Sequence, residues 1–546
     1  VSFTELGLRG RLSFLLDISL AGQTLRFATQ RLSATIDGSV VEYHPGLVWQ
    51  RSTAQDFSPW STQAPSISES FTIYPAEDFD IADVIADGHN PGTATGILRI
   101  YSEVDKDAEI LIDGVVRDPQ WGAVGQPFVL MLEQNPRKDT GVLQTRSQRI
   151  LKASWANHDT TWNKTSYPII IGSPSGGDDT YFSGSQAFLV DTANTYVLIA
   201  GHHTVAGANG DEVTIANFTQ SATDDTAAIN GTDDLGQPVT YVDGSLLGTP
   251  PIAGDVLWCA WRDDNPFATQ TYGLYDDEQT NPLRGAGDVL VYLARLSRGL
   301  KWDFARLDAV REDLNQYIID GPIQPAIGQT ITPWDWIQAH ILNALPVSMV
   351  LGQRGVYIRW WDFTADASDA EITLLERTSN GQGNCGRISL AGSSPLDDVL
   401  GGVIVNYAYN HRTTSAREST LLSGNQADVD ADEDGVMDPW LKRVGVDYDD
   451  EMPTATINLQ MIEERSSAVR VASAIAKRGG VQRAVVGYSV DQYPGGLLEP
   501  GSVVLVTDDG LGWDKRPGIV QVAEWTEVST REIIVEVPLE GTGVAA

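Results

Sequence analysis

Apolar and polar positions alternate along much of the chain. Leu16-Asp-Ile-Ser-Leu20 alternates strictly, Ala21-Gly22 interrupts it, and Leu25-Arg-Phe27 resumes the two-residue period, as two strands around a turn should. Gly96–Tyr101, Glu109–Asp113 and Phe128–Glu133 add three candidate strands, and a short helical patch at Ile81–Gly88 stops on its glycine. Residues 1–150 therefore read as one β-barrel or sandwich module carrying a helix. Tyr196–Ala200, Val213–Ala216 and Val239–Val242 are short strands between turn-forming residues, and 151–270 read as an inserted β-sandwich facing solvent.

The period then changes. Val289, Leu290, Leu293 and Leu296 share one face of a helix that Asp288 can cap and Gly299 ends. Phe304, Leu307, Val310, Leu314 and Tyr317 repeat the spacing and predict a second helix. Thr332-Pro333 opens a third, with Asp335 in its first turn and Trp336, Ile337, Ile341 and Leu345 on its apolar face. With the strand that starts at Val356, residues 271–400 form a small α/β region. Residues 401–546 return to strands, at Val403–Tyr407, Ala455–Leu459, Ala484–Tyr488, Ser502–Val506, Ile519–Val522 and Ile533–Val537. A helix over Ser466–Arg478 lies among them and buries Ala468, Val471, Ala472 and Ile475. The fold class is multi-domain and mainly β.

Composition sharpens this picture. A chain of 546 residues exceeds what one hydrophobic core supports, which favours several domains. No run approaches the roughly 18 apolar residues of a membrane span, so none is expected. The first residues lack the basic and apolar regions of a secretory signal. Cys259 and Cys385, the two cysteines, cannot make a disulfide framework and suit a reducing cytoplasm. Charge is the strongest signal: 73 acidic against 37 basic residues give a formal net charge of −36. A field of that sign repels phosphate backbones and argues against tight nucleic-acid binding. The 15 Trp, 17 Tyr and 13 Phe argue against disorder. The surplus is uneven, for Thr165–Trp261 holds eleven Asp and Glu and no Lys or Arg.

One segment has metal-ligand spacing. Asp430, Asp432 and Asp434 stand at loop positions 1, 3 and 5, Gly435 at 6, the Val436 carbonyl at 7 and Asp438 at 9, which is a calcium ladder. Position 12 is Leu441 instead of the bidentate Glu of an EF-hand. Calcium binding completed by another segment and a solvated acidic loop both remain open here.

Signals for catalysis are poor, and the chain reads as a non-enzyme. Gly381-Gln-Gly383-Asn-Cys-Gly386 matches a dinucleotide fingerprint, but the following Arg387-Ile-Ser-Leu reads as a strand where a phosphate site needs a helix. P-loop, zinc-protease and nucleophile-elbow motifs are missing from the sequence. His202 and His203 are adjacent and would point to opposite faces of a strand. Cys259, between Trp258 and Trp261, reads as a small buried hydrophobe. The pairs Asp178-Asp179, Asp233-Asp234 and Asp263-Asp264 are too numerous for one to stand out as an acid/base couple.

Several segments, taken in order, resemble tail-tip (baseplate) hub proteins of long-tailed bacteriophages and gene transfer agents. They are Gly114–Phe128, Tyr167–Gly172, Trp334–Gln338 with Leu345–Ser348, the helix Ala468–Ala476, Val485–Val490, Leu498-Glu-Pro-Gly-Ser-Val-Val-Leu-Val-Thr-Asp508 and Val520–Trp525. The resemblance implies two tail-tube-like β-barrel modules, at 1–150 and 401–546, around the inserted sandwich and the α/β region. It also implies a homotrimer whose six modules form a pseudo-six-fold ring that closes the tail tube. Expected partners are a distal tail protein and other tail-tip or fibre proteins, with DNA passing through the lumen without specific binding. The implied location is the virion tail tip, after assembly in the host cytoplasm. The family carries no catalytic site. An iron–sulfur cluster, which some tail-tip proteins hold on four cysteines, is not expected with two. The alternatives are a distal tail ring or receptor-binding adhesin of the same virion, and a polysaccharide hydrolase.

Overall fold

The computed structural model describes residues 12–20, 23–50, 55–56, 67–74, 88, 94–103, 106–120, 126–134, 142–143, 148–172, 174, 184–204, 212–261, 283–297, 300–326, 328–352, 355–360, 370–377, 381–393, 399–423, 453–480, 482–491, 498–527 and 530–539. The predicted helical patch at 81–88 lies, but for Gly88, outside them.

Alternation in the first region builds a nine-stranded sheet. Its order is Leu32–Ile36, Ser39–Pro45, Gln23–Ala28, Leu12–Leu20, Thr95–Ser102, Asp107–Gln120, Phe128–Gln134, Ile67–Ile73 and Leu47–Gln50. The two-residue period of Leu12–Leu20 sends Phe14, Leu16 and Ile18 to a large core, while Leu15 faces Ala28, Ala34, Tyr43 and Tyr101 on the opposite side.

The inserted region is a closed six-stranded barrel, where the sequence suggested a sandwich. Around the barrel run Ser185–Asp191, Tyr196–Ala200, Pro238–Asp243, Ala222–Thr232, Glu212–Asn217 and Leu257–Trp261. Closure comes from the first and last strands, which pair through Ser185–Cys259, Gln186–Trp258 and Ala187–Leu257. Inside are Leu189, Val197, Ile199, Val213, Ile215, Val242, Leu257, Cys259 and Trp261.

Beyond the barrel the period-3.6 segments fold as helices. α1 is Ala286–Leu296, α2 Phe304–Ala309, α3 Arg311–Leu314 and α4 Pro333–Ile337, which passes into a π-turn over Gln338–Leu342. Thr332 opens α4 with Asp335 in its first turn, as expected, and the two cap it reciprocally. The second predicted helix is broken at Val310, and just beyond it the Arg311 carbonyl lies hard against the position a Cβ on Gly287 of α1 would take, a close backbone approach that glycine permits. Helix α5, Arg465–Gly479, lies against the strands Gly402–Asn410 and Ser415–Ser423. One apolar cluster runs from Phe14 and Leu130 of the first sheet through Val289 and Leu293 of α1 and Trp336 of α4 to Val471 of α5.

The C-terminal sheet has its own core, which includes Leu374, Cys385, Val486, Tyr488, Val504, Val520 and Val535. Its order is Ile372–Leu375, Val503–Asp508, Trp513–Glu527, Thr530–Pro538, Arg483–Asp491 and Cys385–Ser393, with Gln55–Asp56 pairing onto Trp513–Glu527. The two ends of this path meet. Glu376 bridges Cys385, the Arg377 N–H donates to the Cys385 carbonyl at 2.8 Å, and the Asn384 N–H donates to that of Leu375 at 3.0 Å. A narrow seam therefore closes the sheet toward a barrel.

Candidate functional site

Leu498-Glu-Pro-Gly-Ser502, within the segment that carries the family resemblance, is a tight turn. Pro at the second position and Gly at the third favour a type II turn, which needs positive φ at the third residue. Gly501 supplies it with φ +87°, and the Ser502 N–H donates to the Glu499 carbonyl at 2.9 Å. A side chain at Gly501 would also meet Arg359, whose Cδ comes within 2.5 Å of the position a Cβ would take.

This turn presents Glu499 to the helical layer. Arg306 of α2 donates to Glu499 Oε2 at 2.5 Å, and the Tyr357 hydroxyl donates to the same oxygen at 2.8 Å. The Arg306 guanidinium lies 4.7 Å from the centroid of the Tyr357 ring. Asp303 caps α2 and accepts the Arg306 N–H. Beside them Arg359 donates to Glu371 Oε1 at 2.7 Å, and the Ser502 hydroxyl donates to Glu371 Oε2 at 3.0 Å. Tyr357 and Arg359 lie on the hairpin Val347–Gly352/Gly355–Trp360, and Tyr357 with Val350 packs on Ile519 of the C-terminal sheet. Two arginines, two glutamates, a tyrosine and a serine thus join three elements.

Burial alone would raise the Glu499 carboxyl, but the Arg306 guanidinium and the Tyr357 hydroxyl outweigh it and hold it below the usual carboxylate range. An ionised Glu499 with both partners in place serves as a clamp and is unsuited to general-acid work. Because the Arg306 side chain is 38% exposed, solvent screening holds its bond with Glu499 to about 1 kcal/mol.

The predicted site residues fall elsewhere. Asp430, Asp432, Asp434, Val436 and Asp438 lie outside the described residues. Among the described residues no group of three or more His, Cys, Asp or Glu is placed to hold a metal ion. The Gly381–Gly386 segment leads into a strand, as expected, and forms part of the seam of the C-terminal sheet. Gly383 has φ +128°, and a Cβ there would come within 2.7 Å of Arg377 Cα. Asn384 receives the Leu375 N–H at 2.9 Å and donates to the Thr373 carbonyl at 2.9 Å. Next to it Arg387 and Tyr488 both donate to buried Asp508, the last residue of the family-like segment, and a hydrogen bond with Asp508 raises the Glu376 carboxyl.

His202 is buried and accepts the Ile170 N–H at 3.0 Å, and burial pulls its pKa down to about 4. Cys259 and Cys385 are buried in separate cores, and burial raises both thiols. Asp233 and Asp234 have separate duties: Asp233 accepts the Tyr167 hydroxyl at 2.7 Å, and Asp234 accepts the Ala156 N–H at 3.0 Å. Asp178, Asp179, Asp263 and Asp264 lie outside the described residues. No described helix is long and apolar enough to cross a membrane.

No family model matches the chain, and no curated protein matches it. Solved structures do. Similarity extends to a tail protein from Neisseria meningitidis MC58, at 10% identity over 97% of each chain with a TM-score of 0.37. It extends to the 43 kDa tail protein of prophage MuSo2 from Shewanella oneidensis, at 9% identity over 96% of this chain and 98% of that one, TM-score 0.35. A chain from the virion of a native gene transfer agent is similar at 16% identity over 47% of this chain and 82% of its own, TM-score 0.19. These likenesses are to tail-type proteins.

Proposed function

We propose that the chain is a structural component of a phage-type tail tip, a hub protein that forms a homotrimer. Three copies, each with two β modules, make a pseudo-six-fold ring that closes the tail tube and docks a distal tail protein and further tail-tip or fibre proteins. The protein then resides in the virion, and the acidic balance keeps the passing DNA from adsorbing. Its role is architectural, without a reaction of its own.

The observation that carries this reading is where the family-like segments fall. Ile169 and Ile171 face the central core while Ile170, between them, faces the core of the inserted barrel. Leu345–Ser348 leads from the helical layer into the hairpin that carries Tyr357. Leu498–Ser502 clamps that hairpin and α2 to the C-terminal sheet. Residues spent on holding units in fixed relation suit a scaffold better than an enzyme built around a cleft. The first sheet also ends on edge strands, Leu32–Ile36 and Leu47–Gln50, each paired on one side only among the described residues, and a ring neighbour can satisfy the backbone groups of the other side. Native mass spectrometry of the full chain, with cryo-EM of tails that contain it, should give three copies per ring. Six copies would refute the hub and favour a distal tail ring.

A further inference from the structure

The antiparallel pairing of the inserted barrel brings three of its turns, 192–195, 218–221 and 244–256, to one end. They are stitched together there. Gly244 N–H donates to the Thr195 carbonyl at 2.8 Å, Phe218 N–H to that of Val256 at 3.0 Å, and Val256 N–H to Thr219 Oγ1 at 2.9 Å. From this end project Leu246, 74% exposed, and Ile252, 64% exposed, with Val256 and Phe218 each exposed by more than a third. Asp224, Asp225 and Asp243 lie on the strand ends around them, in a stretch of chain with no Lys or Arg from 165 to 261. One base does reach this end from outside the barrel. Arg412, in the turn after the strand Gly402–Asn410, lies with its guanidinium 4.1 Å from the centroid of the Phe218 ring.

We propose that this end of the barrel docks a protein segment that carries arginine beside apolar side chains. Leu246 and Ile252 gain by leaving water, and their order in a stitched turn end spares much of the entropy cost of docking. The carboxylates of Asp224, Asp225 and Asp243, on a barrel whose own segment from 165 to 261 holds no Lys or Arg, repel an acidic partner and favour a cationic one, and a guanidinium can both pair with them and stack on an aromatic ring. The Arg412–Phe218 contact shows the stacking half of that chemistry within the chain itself. The inference goes beyond the tail reading, since it concerns one end of one domain and needs no ring.

The test uses the full chain and fluorescence anisotropy of three labelled peptides of equal length, alternating Arg/Leu, Arg/Ser and Glu/Leu. The Arg/Leu peptide should bind at least tenfold more tightly than the other two. The double variant Leu246→Ser, Ile252→Ser should lose at least tenfold, while Leu375→Ser, Ile388→Ser on the C-terminal sheet changes nothing. All four positions are exposed, so the variants should fold, and amide exchange in Leu257–Trp261 checks that they do. Equal binding of the Arg/Ser peptide would mean general attraction to an acidic chain and overturn the proposal. So would equal loss in both double variants. Phosphatidylcholine vesicles that bind wild type but not the first variant, with no peptide binding, would assign the surface to lipid instead. Oligomeric state does not enter these readouts, so failure here leaves the tail reading standing, and failure of that reading leaves this one.

Discussion

In the inserted barrel, carboxylates are held by neutral donors, whereas at the joint they are held by arginines. Asp255 is buried and accepts the Asn217 amide at 2.7 Å, the Gln220 amide at 2.5 Å and the Ile252 N–H at 2.9 Å. Asp233 takes the Leu235 and Gln237 N–H groups on one oxygen and the Tyr167 hydroxyl on the other. Burial works against the Asp191 charge, yet the Asn194 and Ala193 N–H groups and the Asn194 amide hold its pKa below the usual range. Glu499 and Glu371 rely instead on Arg306 and Arg359. The difference teaches that a surplus of Asp without Lys or Arg can be a way of fastening turns. Such aspartates need no metal and no basic ligand to explain them.

The two solutions should respond differently to perturbation. The largest effect is expected at Asp255. Asp255→Ala strands the amides of Asn217 and Gln220 and the N–H of Ile252, and should cost the barrel about 2–4 kcal/mol. Amide exchange in Leu257–Trp261 measures it, and the loss should be the same in low salt and in about 1 M NaCl, because the groups are buried. A salt-dependent loss would erase the contrast with the joint.

Glu499→Gln should cost less, about 1 kcal/mol at low salt, and that cost should shrink toward zero in about 1 M NaCl. Exchange of the Gly355–Trp360 amides reports it. The depressed carboxyls of Glu499 and Asp191 give full stabilisation above the ordinary carboxylate pKa of about 4, and it is lost as pH falls through their lowered native values. Acid should therefore loosen both regions, while salt loosens only the joint. Joint amides that stay protected through acid titration would contradict an ionised Glu499.

The smallest effect concerns a third solution, a carboxylate cluster met by a cation. We propose Asp430, Asp432, Asp434, the Val436 carbonyl and Asp438 as a calcium loop that lacks the usual last carboxylate. A Kd on the order of 10⁻⁴ to 10⁻³ M gives only about 0.4–1.4 kcal/mol at about 1 mM calcium. Calorimetry should show a small calcium-dependent rise in Tm that Asp432→Ala removes. Identical melts in EDTA and calcium would leave a solvated loop.

Strand positions were legible wherever alternation was clean, as at Leu16–Leu20, which falls inside Leu12–Leu20. Ala222–Thr232 was not, because Asp224, Asp225 and Gly231 have low strand propensity and only its pairing with both neighbours makes it a strand. Sandwich and barrel share the same alternation, and only the long-range pairing of Ser185–Ala187 with Leu257–Cys259 distinguishes them. The Glu-Pro-Gly-Ser turn was visible as a motif. Its partners Arg306 and Tyr357 lie 193 and 142 residues away in sequence, and no local pattern connects them.

The seam of the C-terminal sheet bears on how the protein is made. Cys385–Ser393 leaves the ribosome before residues 394–482, and its sheet partner Arg483–Asp491 follows only after them. At about 5–20 residues per second the segment waits on the order of 5 to 20 seconds for that partner. Even when folded it shows Ile388 and Leu390 to solvent, the composition that invites pairing with a neighbouring nascent chain. Its register with Arg483–Asp491 slips twice, between Arg387 and Ser389 and again between Leu390 and Ser393. Such bulges bend a strand and spoil a flat edge for strangers while leaving it acceptable to its own partner. In the folded sheet the irregular strand is therefore a poor template for edge-to-edge pairing with another chain.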